Sequence, residues 1–217
     1  MTNFIPIFPL GIVVYPGENL NLHIFESRYK QLISECQALK KPFGIPAVIQ
    51  NNMQDYGSLV EITEISKMYK NGELDIKTKG VKIFRILETI KEVPDKLYSG
   101  AIVTYPDVDE QGSPEAMRKI MNSIYDLYRL LKVNSPESFR DKKEEGKIKC
   151  YDVAHHIGLS PEEEYELLSL LHERQRQEFL KRHLAKVIPM VAGMEQLKVK
   201  IKGNGHFKNL PGPDPGE

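Results

Sequence analysis

Short runs of apolar residues, separated by turn signals, fill roughly the first hundred positions of the chain. Leu20, Leu22 and Ile24 alternate with polar residues, and this alternation predicts a half-buried strand. Asn71 and Gly72 lie between two further runs rich in β-formers, which predicts a hairpin with a type I′ turn. We therefore expect strands over the runs 4–10, 12–15, 20–24, 43–50, 58–66, 74–78, 81–87 and 101–105.

One helix is inserted among these strands. Directly after Ile24 the apolar residues recur at helical spacing, which predicts an amphipathic helix that ends near Lys41, ahead of Pro42. Its expected buried stripe is Phe25, Tyr29, Leu32, Ile33, Cys36 and Leu39. Four polar residues point away from that stripe and are candidates for contact with a partner: Ser27, Arg28, Gln31 and Glu35. An ordinary solvated helix face is the simpler interpretation of these four.

Beyond Pro106 a polar loop leads into a sequence that repeats at helical period. Ser113 can cap a helix with Pro114 in its first turn, and Ser160 with Glu163 has the spacing of a capping box. We expect Pro189 to bend or break the last helix. The expected buried residues are Met117, Ile120, Met121, Ile124, Leu127, Tyr128, Leu131, Tyr165, Leu167, Leu168, Leu171, Phe179, Leu180, Leu184, Val187 and Ile188.

This change of period predicts three segments. They are a β-rich subdomain at residues 1–106, a helical subdomain at residues 107–202 and a flexible tail at residues 203–217. Four glycines and three prolines leave the tail little to bury. The mixed charge run at 141–149 is most simply a solvated loop or an exposed helix end.

Composition narrows the function classes. The 217 residues include 30 basic and 30 acidic side chains, and a net charge of zero argues against non-specific nucleic-acid binding. Cys36 and Cys150 form neither a disulfide framework nor a zinc motif, so we expect a reducing, cytoplasmic compartment. No apolar run approaches the roughly 20 residues that span a bilayer, and we expect a soluble protein.

Chemical motifs are mostly missing. Neither common phosphate-binding glycine motif occurs, no nucleophile motif is present, and we expect no cofactor, metal or catalytic residue. For His155 and His156 we expect one partly buried, hydrogen-bonded histidine beside one exposed histidine. His172 and His183 are expected on the surface. A basic run is interpreted as a solvated helix face: Arg174, Arg176, Lys181, Arg182 and Lys186.

Two blocks of sequence carry a family resemblance. The first is Phe8-Pro9-Leu10, Val13-Val14-Tyr15-Pro16-Gly17, Leu20, Leu22-His23-Ile24-Phe25-Glu26 and Arg28-Tyr29. The second is Gly57 to Ile65, Asn71-Gly72-Glu73-Leu74, Gly80-Val81 and Phe84-Arg85-Ile86. Over about residues 4 to 105 they resemble the N-terminal domain of Lon protease, the LON substrate-binding domain; the helical half is more loosely similar.

The resemblance implies an α+β fold, in which a PUA-like, β-rich pseudo-barrel with one inserted helix is followed by a C-terminal helical bundle. Lon proteases continue with ATPase and Ser-Lys peptidase modules, for which 217 residues leave no room, so we expect a free-standing LON-domain protein that is not an enzyme. Asn21 departs from the pattern, since many relatives have proline there.

The function implied is a non-catalytic protein- or peptide-binding module that captures unfolded or partly folded polypeptides. β-Augmentation at an open sheet edge, or a shallow apolar groove, would do this. Three alternatives stay open: an RNA-binding PUA-like module, an enzyme with an unrecognised pocket, and a docking subunit of a larger protease or chaperone complex.

Overall fold

The computed structural model of the protein describes residues 3–137, 139 and 148–205. Its strands are β1 Asn3–Pro6, β2 Asn19–Ile24, β3 Phe43–Ile49, β4 Asn52–Met68, β5 Leu74–Ile90 and β6 Gly100–Thr104. Its helices are α1 Ser27–Leu39, α2 Pro114–Leu131, α3 Cys150–Val153, α4 Pro161–Ser169 and α5 Glu173–Gly205, with a 3-10 turn at Ala154–His156. The predicted α+β class, a β-rich sheet with one inserted helix and helices after it, is confirmed.

The described chain divides into two units. Unit 1 contains Met1–Gln111 and Lys149–Arg176, and unit 2 contains Gly112–Ile148 and Gln177–Glu217. Residues 149–176 therefore pack with the sheet, although they follow α2 in the sequence. The predicted boundary after residue 106 stays a prediction. Of the predicted tail only residues 203–205 are described, and they end α5; residues 141–147 of the charge run lie outside the described residues.

The strands form one sheet in the order β1-β6-β5-β4-β3, with β2 also paired to β5. β1 pairs with β6, and the chain then continues along β3, where Phe8 N donates to Gly44 O at 2.8 Å and Val48 N donates to Leu10 O at 2.7 Å. This segment joins the two ends of the sheet and closes it into a barrel. Residues 12–15, predicted as a strand, form none.

Helix α1 covers part of the barrel with the apolar residues predicted for it. Tyr29, Leu32, Ile33 and Cys36 are buried. The prediction is wrong for the two ends of the stripe, because Phe25 precedes the helix and is 59% exposed and Leu39 ends it and is 62% exposed. These four buried side chains share one core with Phe8, Val14, Ile24, Phe43, Ile45, Val60, Leu74, Ile76 and Tyr98.

The hairpin between β4 and β5 has a different turn from the one predicted. Of the two central residues only Gly72 has a positive φ, of 78°. Gly72 N donates to Tyr69 O, and Tyr69 N donates to Glu73 O, both at 2.9 Å. The connection is thus a three-residue loop with a left-handed glycine, because Asn71 does not take the positive φ that a type I′ turn requires.

β5 is a single strand of 17 residues, where the sequence predicted two strands separated at Gly80. The register between β4 and β5 shifts beside Val60, so a bulge bends the strand without ending it. Gly57 lies within β4, where an added Cβ would lie 2.6 Å from Pro46 Cα and 2.7 Å from the Phe84 ring. Only a glycine lets these strands and the core approach so closely.

A buried ion pair holds the helical segment of unit 1. Arg176 and Glu173 are 1% and 3% exposed, and Arg176 Nε lies 2.7 Å from Glu173 Oε2. Arg176 also donates to the carbonyl oxygens of Leu170, at 2.7 Å, and Asp109, at 3.3 Å, and lies 4.6 Å from the centre of the Tyr151 ring. The prediction that Arg176 belongs to a solvated face is therefore wrong.

In unit 2, Ser113 caps α2 by accepting a hydrogen bond from Ala116 N at 3.2 Å, as predicted. Ser113 also donates its backbone N–H to Gln177 Oε1 at 2.9 Å. Helix α5 continues through Pro189, so the expected break does not occur. His183 is only 7% exposed, and its predicted surface position is wrong. Of the predicted buried positions on α2 and α5, Leu131 is 47% exposed, so that prediction is wrong; those that are buried are Met117, Ile120, Met121, Ile124, Leu127, Phe179, Leu180 and Leu184.

Candidate functional site

The four predicted partner residues have different surroundings on α1. Ser27 and Arg28 are exposed, whereas Gln31 and Glu35 are half-buried. Arg28 already has partners within the chain. Its Nη2 lies 2.7 Å from Glu26 Oε2, and its guanidinium carbon lies 4.5 Å from the centre of the Tyr29 ring. A role of these residues in binding a partner stays a prediction.

Gln31 and Glu35 hold the loop that precedes β6. Gln31 accepts from Leu97 N at 2.8 Å, and Glu35 accepts from Lys96 Nζ at 2.9 Å and from the Tyr98 hydroxyl at 2.6 Å. These hydrogen bonds, from Lys96 first and then Tyr98, lower the pKa of Glu35. The contacts give both residues a structural role.

A shallow cavity beside Arg28 has a volume of about 130 Å³. Sites for small molecules usually have volumes of roughly 300–1,000 Å³, so this cavity is too small to enclose such a substrate. Its lining residues are Ile7, Pro9, Arg28, Tyr29, Met53, Thr89 and Ser99.

The free edge of β2 offers a surface of a different kind. β2 pairs with β5 over its whole length, Asn19 opposite Lys79 and onward without a register shift. Gly80 N donates to Glu18 O at 2.8 Å just before this ladder. Because hydrogen-bonded and non-bonded pairs alternate in an antiparallel ladder, every second residue from Leu20 bonds to β5 and every second residue from Asn19 directs its backbone groups away.

On that outer side, the described residues place no further strand. The edge therefore presents unpaired backbone N–H and C=O groups at regular spacing, which can pair with an added strand. The outward-directed groups belong to Asn19, Asn21 and His23.

The side chains of β2 supply an apolar face beside this edge. Leu20 and Leu22 are half-buried and pack against the core under α1. An added strand would place its alternate side chains next to these two leucines, since directly opposed residues lie about 5 Å apart. The edge thus combines backbone pairing with a partly exposed apolar surface.

Another open edge, in the second half of β4, is poorly suited to pairing. Glu61–Met68 carries register shifts around Thr63 and Ser66, whose hydroxyls each donate to a β5 carbonyl at 3.0 Å. Bulges and charged side chains discourage edge-to-edge pairing, and this segment has both. β2 is therefore the more receptive edge.

An aromatic group lies at the end of β2. His23 Nδ1 lies 2.6 Å from Asp75 Oδ1, and the Tyr69 hydroxyl donates to Asp75 Oδ2 at 2.8 Å. These hydrogen bonds, His23 first, lower the pKa of Asp75. The His23 ring packs edge-on against Tyr69 and lies 6.1 Å from Phe25, which is largely exposed. Phe25 is thus an apolar contact at the end of the open edge.

Sequence reasoning found β2 but missed Phe25 as a surface residue. The alternation in β2 is visible in the sequence, whereas its position at the edge depends on which strands pair with β5. In the sequence, the one sign that Phe25 lies outside the helix is its position between β2 and Glu26, the residue that precedes α1.

His155 forms a second titratable cluster in unit 1. Its Nδ1 lies 2.7 Å from Glu164 Oε1 and its Nε2 lies 3.2 Å from Glu18 Oε2. A hydrogen bond to Glu18 raises the pKa of His155, burial lowers it, and a hydrogen bond to Glu164 raises it again. The net result is a pKa of about 9. His155 is hydrogen-bonded, as expected for one of the two histidines, but both His155 and His156 are exposed, so the predicted contrast in burial between them is wrong. His172 is exposed as predicted.

Both cysteines are buried free thiols. Burial raises the pKa of Cys36 to about 11 and raises the pKa of Cys150 further. A thiol protonated at neutral pH is a poor nucleophile, which argues against cysteine catalysis at these two positions. In the ranges that the structure describes, no group of three or more His, Cys, Asp or Glu residues is placed to hold a metal ion.

Comparison with known proteins identifies the family. The model for the substrate-binding domain of the ATP-dependent protease La (LON) matches residues 5–186. The chain belongs to the LON substrate-binding domain family. The predicted family resemblance is thereby confirmed, and the fold is that of a substrate-recognition module.

Two solved structures share the fold of this LON-domain chain. A Lon N-terminal domain protein from Xanthomonas campestris has 24% sequence identity and a TM-score of 0.61, covering 83% of this chain and 98% of its own. The N-terminal domain of the Mycobacterium avium complex Lon protease has 13% identity and a TM-score of 0.62, covering 84% of this chain and 98% of its own. No curated protein matches the sequence. Among the described helices of the LON-domain chain, none is both long and apolar enough to cross a membrane.

Proposed function

We propose that this LON-domain chain is a non-catalytic module that captures extended apolar segments of unfolded or partly folded polypeptides along the free edge of β2. The observation that carries the proposal is the regular, unbulged ladder of β2 with one side open. A bound segment gains backbone hydrogen bonds from this edge and apolar contacts from Leu20, Leu22 and Phe25. Membership of a family described as substrate-binding supports the same function.

Binding at this edge is weak and tolerant of sequence. A short segment has few side chains to bury and loses conformational freedom when it binds, so we expect a Kd of about a micromolar or weaker. Backbone pairing makes little distinction between side chains, which suits the recognition of many unfolded chains. The two buried, unpaired cysteines support a reducing, cytoplasmic setting for this activity.

The test removes one backbone N–H donor from the open edge of β2 and leaves the hydrogen bonds between β2 and β5 in place. Asn21 directs its N–H to the open side, so Asn21→Pro removes that donor while the ladder with β5 remains. Proline at an edge position of this kind is compatible with a strand, and the resemblance places proline here in many relatives. Asn21→Ala is the matched control, because it changes the side chain and keeps the N–H.

The measurement is isothermal titration of both variants with an uncharged peptide of alternating valine and threonine. We expect Asn21→Pro to weaken binding roughly tenfold, while Asn21→Ala binds like the original chain. A second peptide, N-methylated at every central amide, has no donors for either edge and should not bind. Equal binding by both variants, or by both peptides, would contradict edge pairing. Circular dichroism spectra check that each variant folds.

RNA binding is an outcome that the same samples can detect. A single-stranded RNA probe should show no binding at the β2 edge, because unit 1, which contains this edge, has a net charge of −5. RNA binding that the Val-Thr peptide displaces would replace the proposed function with the RNA-binding alternative.

A further inference from the structure

The far half of α5 carries an apolar stripe that the described residues do not cover. Leu180, Val187 and Met194 are spaced seven residues apart, and His183, Met190 and Leu197 repeat with the same interval three residues later. This spacing of three and four residues is the pattern by which one helix packs lengthwise against another. The stripe therefore has the periodicity of a helix-packing seam.

The seam changes from buried to exposed along the helix. Leu180 and His183 are almost fully buried and Val187 is half-buried. Met190, Met194 and Leu197 follow in the same register, and they are 64%, 58% and 57% exposed. The packing pattern thus continues for three more positions after the chain stops covering it. We call these last three residues the α5 stripe.

A groove between α5 and the end of α2 lies on the opposite face of α5 from the α5 stripe, so one partner helix cannot contact both. Its volume is about 510 Å³. Three cations and one carboxylate line it, and the carboxylate, Glu195, is paired with Lys198 at 2.7 Å. The lining residues are Arg129, Leu130, Lys132, Ala192, Glu195, Gln196 and Lys200.

The charge around this surface has one predominant sign. Residues 182–202 contain five basic side chains and one acidic side chain. Unit 2 as a whole contains 15 basic and 10 acidic side chains, a net charge of +5. A basic helix with an apolar stripe attracts a ligand that combines apolar and acidic groups.

We propose that the α5 stripe docks an amphipathic helix of a partner protein that carries acidic residues beside its apolar face. The partner's apolar residues pack on Met190, Met194 and Leu197, and its carboxylates face Lys186, Lys198 and Lys200, which flank the stripe at helical spacing. A second copy of this chain is a poorer occupant, because pairing α5 with itself brings lysines near lysines. This surface belongs to unit 2, whereas the β2 edge belongs to unit 1.

The test uses two synthetic helical peptides with leucine and isoleucine at the seam positions. One has glutamate at the flanking positions and the other has lysine. By fluorescence anisotropy with the full chain at low salt, we expect the glutamate peptide to bind at least roughly tenfold more tightly than the lysine peptide. Equal affinity of the two peptides, or absence of binding by the glutamate peptide, would overturn the proposal.

Point variants assign the binding to this surface. Met194→Glu and Leu197→Glu put a charge into the exposed stripe and should each weaken the glutamate peptide roughly tenfold or more. Met68→Glu is the matched control, because Met68 is a 71% exposed methionine in unit 1. Asn21→Pro should also bind normally, which separates this result from a failure of edge pairing. Unchanged binding by both stripe variants would contradict the assignment.

Sedimentation velocity tests whether a second copy of this chain covers the α5 stripe instead. We expect the full chain to sediment as a monomer, with the α5 stripe free for a partner. Self-association that Met194→Glu abolishes would show that a second copy covers the stripe, and the proposal of an acidic partner helix would then be wrong.

Discussion

Arg176 carries its charge inside unit 1 and contacts three segments of the chain there. Its guanidinium reaches Glu173, the carbonyls of Leu170 and Asp109, and the Tyr151 ring. We predict that Arg176→Ala lowers the free energy of unfolding by about 3–5 kcal/mol, because the Glu173 carboxylate is left buried without its partner. Urea unfolding followed by circular dichroism measures this.

The neighbouring Arg174 supplies the control for this prediction. Arg174 is exposed, so Arg174→Ala should change the unfolding free energy by less than about 0.5 kcal/mol. The double variant Arg176→Met with Glu173→Leu removes both charges and should be more stable than Arg176→Ala. A similar small effect of the Arg174 and Arg176 variants would show that the buried pair contributes little.

His155 should make stability depend on pH above neutrality. Hydrogen bonding to Glu18 and Glu164 raises its pKa from 6.5 to about 9, so the folded state favours the protonated form. The groups facing it are Glu18, Glu164 and the Tyr15 ring, with His156 adjacent in the chain. This contribution is fully present below pH 6.5 and is lost as pH rises towards and through about 9.

Urea midpoints measured between neutral pH and pH 9 check the direction. They should fall with rising pH in the original chain, and His155→Gln should flatten this dependence. An equal slope in both proteins would mean that other groups cause the change.

At the scale of elements, two glycines should respond to alanine with opposite signs. Gly57 lies where β4 approaches Pro46 and Phe84, so Gly57→Ala should destabilise unit 1 by more than about 1 kcal/mol through steric overlap. Gly193 lies within α5 with open space around an added Cβ, so Gly193→Ala should stabilise the helix by about 0.5–1 kcal/mol. Thermal unfolding of the two variants compares the signs; shifts in the same direction would refute the prediction.

The elements themselves followed from local pattern, whereas their edges and bends did not. Alternation and helical spacing located β2 and α1, and Ser113 and Ser160 located two helix starts. Gly80 was mistaken for a break because the bulge that accommodates it depends on pairing with β4. The free edge of β2 likewise depends on which strands lie beside it. The local sequence does not show which strands will lie beside β2.

At the scale of the whole molecule, a chain with a net charge of zero is made of two units with opposite net charges. Unit 1 contains 15 basic and 20 acidic side chains, a net charge of −5, and unit 2 has a net charge of +5. The sequence total is zero because the two charges cancel. Residues 149–176 carry three basic and six acidic side chains and belong to unit 1, so the division could not be found by cutting the chain once.

This separation of charge predicts different salt dependence for the two proposed surfaces. Backbone pairing of the uncharged Val-Thr peptide at β2 involves no net charge on the ligand, so raising NaCl from about 50 to about 500 mM should change its Kd less than about twofold. The glutamate helix should bind several-fold more weakly over the same range, because salt screens its attraction to the lysines that flank the α5 stripe. Parallel titrations at each salt concentration measure both. Equal salt dependence of the two ligands would show that the charge of unit 2 does not select its partner.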